Sequence, residues 1–291
     1  MRSLQDIRAS IHPRLLRRST PLGLYFLLRD LLMAACAWKI ALLSTLFRHA
    51  GTIGALTPFG AIWWFQGLIF TGIWVIGREC GHGAFSDYKL LNDAVGLVTH
   101  TLLWTPYFSW TISIHRHHNN GARRGRHAVL SSNAGIGAMI IAVISASHAY
   151  SLAAVVKYYG IPWLLVTHWF ILVTYLHHTT PELPHYRGRE WNFQHATVHR
   201  PFLEWHDRFF LHDVAHFHVV HHLFPKMSFY HGEEATKYLQ GFIGEHYAYS
   251  EKPIFEALWE SYNRYKFVED EEPVLLYRDR QGRAERRAVR V

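Results

Sequence analysis

The chain has 291 residues, of which 49% are hydrophobic and 15% are aromatic, a length that suits one or two domains. Its formal net charge is +8. The arginines flank apolar stretches and form no basic recognition helix, which argues against nucleic acid as a partner and favours anionic lipid. The two cysteines, Cys36 and Cys80, are too few for a disulfide framework.

Four apolar stretches, taken in chain order, predict four membrane-spanning helices arranged as two hairpins. The first stretch carries Arg29, Asp30 and Lys39, whereas the other three contain no formally charged residue and have the length that a membrane helix needs. A tight turn at residues 157–160 is predicted to join the last two helices. The predicted spans are residues 22–47, 57–77, 134–156 and 160–176.

The basic residues predict which segments face the cytoplasm. Arginine and lysine are concentrated before the first span, between the two hairpins and in the tail, and positively charged segments remain on the cytoplasmic side. The two histidine-rich parts, residues 78–133 and 177–268, therefore face one compartment. The first 20 residues lack an apolar core, so we expect no cleavable signal peptide. Residues 1–291 are predicted to form one domain, with a mobile tail at 269–291.

The most informative motif is His218-Val219-Val220-His221-His222. Residues i, i+3 and i+4 of a helix share one face, so this spacing directs three imidazoles at one point. Imidazole is a ligand for zinc, copper, iron and nickel. The motif therefore predicts a metal site, in preference to three unrelated surface histidines.

Several motifs, in this order along the chain, resemble those of the membrane fatty-acyl desaturases, and most of all the Δ12/ω6 branch of that family. Residues 78–88 resemble the region of the first histidine box, and residues 107–119 resemble the second. Residues 175–186 resemble the stretch that precedes the third box, which is residues 218–222. The likeness covers most of the chain and is specific, because the motifs agree in both sequence and spacing.

This resemblance implies a mainly α-helical integral membrane protein of the endoplasmic reticulum. Four transmembrane helices would carry a cytosolic helical cap that contains the histidine boxes. The implied activity is that of a non-haem di-iron oxidoreductase. It would use O2 and electrons from a cytochrome b5-type donor to introduce a double bond into a fatty acyl chain on a lipid or another carrier. An unactivated methylene has no acidic proton, so this chemistry belongs to a cofactor. The implied iron ligands are His82, His115, His117, His118, His178, His218, His221 and His222.

The chain departs from the family pattern in two boxes. The first box should read H-x-x-x-H but begins with Arg78, whose guanidinium has no lone pair to give to iron. The second should read H-x-x-H-H but begins with Ile114 when aligned without a gap. A frame that starts at His115 keeps two ligands on one helical face. Several dozen residues of the family are also missing between Asn120 and Ser131.

These departures leave other hypotheses open. The same scaffold also hydroxylates and acetylenates, and an acyl or polyketide-type specialised metabolite is an alternative substrate. A catalytically impaired desaturase with a binding role is a second alternative, and an incorrectly predicted coding sequence is a third. A histidine-rich metal transporter is disfavoured, because transporters need polar residues at mid-membrane and these histidine clusters lie outside the predicted spans.

Overall fold

The computed structural model is mainly helical, which confirms the mainly α part of the predicted fold class, whereas the four spans and the cytosolic cap stay predictions. It describes residues 4–49, 59–117, 126–179, 185–186, 204–244, 247, 250, 252–268 and 274–284. The α-helices are α1 (Leu4–Ser10), α2 (Thr20–His49), α3 (Phe59–His82), α4 (Lys89–Leu102), α5 (Tyr107–His117), α6 (Arg126–Tyr150), α7 (Leu152–Val155), α8 (Ile161–His178), α9 (Glu204–Phe210), α10 (His218–Leu223), α11 (Gly232–Ile243) and α12 (Ile254–Arg264). Two short strands, β1 (His185–Tyr186) and β2 (Val274–Leu275), pair antiparallel.

Three helical stretches in the described part of the chain are long and apolar enough to cross a membrane. They are Phe59–His82, Arg126–Tyr150 and Leu152–His178, and they correspond to the second, third and fourth predicted spans. Only 6% of the apolar window in Arg126–Tyr150 is buried inside the protein, as expected of a helix surrounded by lipid. The first predicted span forms helix α2, which is not one of these three.

The turn between the last two long helices lies at Ser151, so the predicted turn at residues 157–160 is wrong. Ser151 has φ 128°, and its Oγ accepts a hydrogen bond from the Ala154 N–H at 3.2 Å, which caps the next helix. Residues Val156–Gly160 continue that helix as a π-helical turn. The polar groups that suggested a turn bind helix α2 instead, because Lys157 Nζ donates to Thr45 Oγ1 at 2.8 Å.

The chain packs as two compact units. Unit 1 comprises Met1–Arg17, Ile171–Arg208 and Asp213–Val291, and unit 2 comprises Arg18–Phe170 and Phe209–His212. The single domain predicted from the sequence stays a prediction.

In unit 2, His100 of helix α4 packs tightly against helix α3. The ring is fully buried, its Nε2–H donates to the Trp74 carbonyl at 3.1 Å, and it stacks on the Trp74 ring. Burial lowers the pKa of His100 to about 3, so the imidazole is neutral at physiological pH. This close approach requires glycine at position 77, because a Cβ there would lie 2.3 Å from the imidazole.

Two charged residues of α2 are paired inside unit 2. Asp30 is fully buried and accepts hydrogen bonds from Arg29 Nη2 at 2.8 Å and from His212 Nε2 at 2.6 Å. Arg29 Nη2 also donates to the Phe209 carbonyl at 2.7 Å. Buried charges are tolerated where they are paired and hydrogen-bonded, so this network explains how an apolar helix carries them. It also fastens residues 209–212 to α2.

In unit 1, helices α1, α10 and α11 share a hydrophobic core. Its buried members are Ile7, Ile11, Leu15, Val219, Val220, Leu223, Phe224, Met227, Ala235 and Leu239. Burial of a large aliphatic or aromatic side chain contributes about 1.5–3 kcal/mol. A short helix such as α10 has little stability of its own, so this core holds it in place.

The end of the chain is more ordered than predicted. Strand β2 pairs with β1, the Lys266 N–H donates to the Arg278 carbonyl at 2.9 Å, and Leu275 and Leu276 are buried. The predicted mobile tail is therefore wrong for residues 274–284, because an apolar pair in this basic segment packs into unit 1. The other residues of that tail lie outside the described part of the chain.

Candidate metal centre

Helix α10 separates its side chains onto two faces. Val219, Val220 and Leu223 are buried in the core of unit 1, whereas His218 and His222, four residues apart, lie together on the other face. Both histidines are almost fully buried, with 8% and 3% of their surface exposed. The core therefore fixes the direction in which the two imidazoles point.

A third imidazole, from the end of helix α8, joins these two. His218 Nε2 lies 3.0 Å from His178 Nε2 and 3.1 Å from His222 Nε2. The rings of His178 and His222 are 4.9 Å apart between centroids. We call these three residues the histidine trio, and its three ligand nitrogens all lie within 4.8 Å of one another.

The spacing and chemistry of the trio suit a metal ion. With a bond of about 2.1 Å, as between zinc and imidazole, two nitrogens at a right angle around one ion lie about 3.0 Å apart. Neutral imidazole is a ligand for iron, zinc and copper. Three nitrogens that converge at a site where two of the three histidines are buried therefore offer one ion half of an octahedral shell and leave other positions open.

His221, the third histidine of the α10 motif, is not part of the trio. Its ring lies 6.0 Å from that of His218 and 6.2 Å from that of His222, because the i+3 position turns it towards the side of the helix. The third nitrogen of the trio comes from His178. His221 stays a predicted ligand.

In unit 2, the residues of the first and second boxes lie near each other. The rings of His82 and His115 are 5.9 Å apart between centroids, and His115 Nε2 donates to the Gly81 carbonyl at 3.1 Å, so a metal would bind His115 through Nδ1. Arg78 is 7% exposed and its Nη1 donates to Glu79 Oε1 at 3.3 Å. A buried ion pair thus fills the position where the family has a ligand.

The rest of the second box is described only in part. Ile114 is half-buried in helix α5. His117 is the last residue of that helix, but its side chain lies outside the described part of the structure, as does the whole of His118. Both stay predicted ligands.

A second cluster in unit 1 combines Asp207, Asp213 and His216. Asp207 is fully buried and accepts hydrogen bonds from the Ala215 N–H at 3.2 Å, the His216 N–H at 2.9 Å and His216 Nδ1 at 2.5 Å. Burial lowers the pKa of His216, but the hydrogen bond to Asp207 and the charges of the two carboxylates outweigh it and raise the pKa. Burial and the charge of Asp207 raise the pKa of Asp213 to about 6. This cluster binds a proton and the backbone, and we assign no metal to it.

Two residues that support the trio, one in contact with it and one at the turn before α10, were not predicted from the sequence. His177 is 2% exposed, its Nε2–H donates to the Ala215 carbonyl at 2.9 Å, and its ring stacks on that of His218. Asp207 holds the turn that precedes α10. The paired histidines at 177 and 178 were a signal for the first residue, whereas a lone aspartate in a polar segment gave no signal for the second.

Comparison with known proteins gives consistent similarities. The family described as "Fatty acid desaturase" matches residues 119–252. The chain is 32% identical to the "Delta(12) fatty acid desaturase" of Mortierella isabellina, over 95% of this chain and 90% of that protein. It is 32% identical to the "Omega-6 fatty acid desaturase, endoplasmic reticulum isozyme 2" of Glycine max, over 93% and 88%. It is 30% identical to the "Oleoyl-12-hydroxylase" of Ricinus communis, over 93% and 87%.

The first of these alignments extends over 364 positions, which exceeds the 291 residues of this chain. The Mortierella protein therefore has residues that have no counterpart here. This agrees with the expectation that a segment of the family is missing.

Proposed function

The chain belongs to the fatty acid desaturase family, and on that premise we propose that it is an O2-dependent oxidoreductase that introduces a double bond into a fatty acyl chain, as a Δ12 desaturase does. The observation that carries this proposal is the histidine trio. His218 Nε2 lies about 3 Å from a nitrogen of each of the other two, and the hydrophobic core holds in place the helix that carries His218 and His222. The activities for which the Mortierella and Glycine relatives are named support the acyl substrate and the bond position.

We propose that His178, His218 and His222 hold iron. Bound there, iron would supply the O2 activation and C–H cleavage that no side chain can perform. The trio would offer neutral nitrogens in a fixed array, and the burial of His218 and His222 keeps bulk water from their nitrogens. The other predicted ligands remain part of the proposal, and they are His82, His115, His117, His118 and His221.

We further propose that helix α2 is a fourth membrane span, so that the histidine-rich parts face the cytosol. Its buried Arg29–Asp30 pair removes much of the cost of placing two charges in an apolar helix. Location in the endoplasmic reticulum is supported by the Glycine relative, which is named as an endoplasmic reticulum isozyme. An acyl lipid or acyl carrier as substrate and a cytochrome b5-type electron donor complete the proposal, on the family resemblance.

A second candidate function is hydroxylation of the same acyl chain. The observation that favours it is the 30% identity to the Ricinus oleoyl-12-hydroxylase, which is about the same as the identity to the desaturases. A third candidate is a desaturase-like protein without catalysis, which the buried Arg78–Glu79 pair in the first box favours.

The fatty acids of a host that makes monounsaturated but no polyunsaturated lipids distinguish these functions. We expect the expressed chain to produce a diene, and His222→Ala, which removes one nitrogen of the trio, to abolish it. His168→Gln is the matched control, since His168 is an exposed histidine of helix α8. A hydroxylated acyl chain would identify the second candidate. Unchanged lipids, both with the parent and with a variant carrying Arg78→His and Ile114→His, would rule out the desaturase proposal.

A further inference from the structure

We propose that His177 is a positioning residue that holds His218 in its metal-binding orientation. This inference rests on the proposed iron site at the histidine trio. His177 is adjacent in sequence to the proposed ligand His178, but it makes a different set of contacts.

The first contact is a hydrogen bond to the chain just before α10. His177 Nε2 donates to the Ala215 carbonyl at 2.9 Å, and both residues are almost completely buried, at 2% and 1% exposed. The same Ala215 donates its N–H to Asp207. Buried side chains therefore hydrogen-bond to both the N–H and the carbonyl of Ala215, which lies three positions before His218.

The second contact is made directly with the ligand ring. The imidazoles of His177 and His218 are 4.3 Å apart between centroids and only 17° from parallel, whereas His178 and His222 meet His218 edge to face, at 69° and 70°. A flat ring on one side prevents His218 from rotating about its Cβ–Cγ bond. His218 Nε2 then stays within about 3 Å of the nitrogens of His178 and His222.

These contacts indicate that His177 orients a ligand and is not itself a fourth ligand. Its Nε2 carries a hydrogen for the Ala215 carbonyl and cannot bind a metal while that bond is made. Among the described residues, the ligand atoms of this site that lie within 4.8 Å of one another come from His178, His218 and His222 and do not include a nitrogen of His177. Groups that orient a metal-binding imidazole without touching the metal typically change affinity by 10- to 100-fold when they are removed. We therefore assign an effect of that size to His177, exerted through His218.

The test uses the full-length protein in detergent, with ferrous iron as the probe under anaerobic conditions. We expect His177→Ala to weaken Fe(II) binding about 10- to 100-fold, and His177→Gln, whose amide can still donate to the Ala215 carbonyl, to lose less. The number of imidazoles around the iron, measured by X-ray absorption, should be the same in parent and variant. His168→Gln is the control on the same helix and should bind iron as the parent does.

A second measurement needs no metal. Diethyl pyrocarbonate modifies accessible imidazole nitrogens, and mass spectrometry of the peptides gives the rate for each histidine. In the metal-free protein, His177→Ala should raise the rate at His218 several-fold relative to His12, an exposed histidine outside the candidate membrane spans. If the parent bound no iron, the proposed metal site would fail, and this rate would still decide the positioning role.

Two results would overturn the inference. One is a His177→Ala protein whose iron affinity and His218 modification rate both stay within twofold of the parent. The other is a loss of one imidazole per iron in that variant, which would make His177 a ligand.

Discussion

The carboxylate of Asp207 is expected to organise the turn that leads into the histidine trio, and Asp207→Ala tests this. The side chain is fully buried and accepts hydrogen bonds from two backbone N–H groups and from His216 Nδ1. Each buried donor left without a partner costs about 1–3 kcal/mol, and breaking a buried ion pair costs about 3–5 kcal/mol. These terms overlap, so we expect a loss of about 3–5 kcal/mol.

That loss is large beside the 5–15 kcal/mol of total stability typical of folded proteins. It corresponds to a fall of about 6–10 °C in the unfolding midpoint of a chain of this size. Asp207→Asn should lose about half as much, because one carbonyl oxygen still accepts. Asp87→Asn is the matched control: its carboxylate is 66% exposed and pairs with Arg18, and such surface pairs contribute about 0–1 kcal/mol.

The measurement is the loss of folded protein in detergent against temperature, followed by size-exclusion chromatography. Parent and variants are heated at one rate, since membrane proteins unfold irreversibly and the midpoint then depends on rate. If Asp207→Ala unfolds within 2 °C of Asp87→Asn, about 1 kcal/mol or less, the carboxylate does not organise this turn and the argument from its three hydrogen bonds is wrong.

Two further predictions concern unit 2. Gly77→Ala should destabilise the chain by about 1–3 kcal/mol, because the new Cβ meets His100. Gly60→Ala, on the same helix, should be neutral or slightly stabilising, because nothing lies within 4 Å of a Cβ at that position. Equal melting midpoints for the two variants would contradict the packing argument. Purified parent protein should bind fewer than two irons per chain by metal analysis, and Arg78→His combined with Ile114→His should raise that number; two tightly held irons in the parent would show that other residues complete the ligand set.

The two faces of helix α10 could be predicted from the sequence. In His218-Val-Val-His-His-Leu, the helical repeat alone places positions 218 and 222 together and positions 219, 220 and 223 together, and the structure has this division. The contribution of His178 could be expected only from the family resemblance. Its approach to within 3.0 Å of His218 depends on how α8 and α10 pack, which no local pattern encodes.

Contacts between residues distant in sequence account for what the sequence did not reveal. Residues 157–160 are polar and were predicted to form a turn, but their partner Thr45 lies more than a hundred positions earlier in the chain. A charged residue such as Asp30 is not expected in an apolar helix, and only the structure shows its partners Arg29 and His212. Periodicity describes one element at a time, so it cannot supply such pairings.

Positions 78 and 114 lack the histidines of the family's boxes, whereas the trio is intact, and this difference affects how many irons the chain should bind. Unit 1 keeps three imidazoles that converge without help from the altered boxes. At position 78 of unit 2, arginine is buried against Glu79, so the site of the lost ligand is filled by an ion pair whose removal would itself be costly. A histidine at 78 would leave Glu79 without this partner as well as adding a ligand. Restoring iron binding in unit 2 should therefore be accompanied by a measurable loss of stability, which would not be expected if position 78 were an unfilled ligand position.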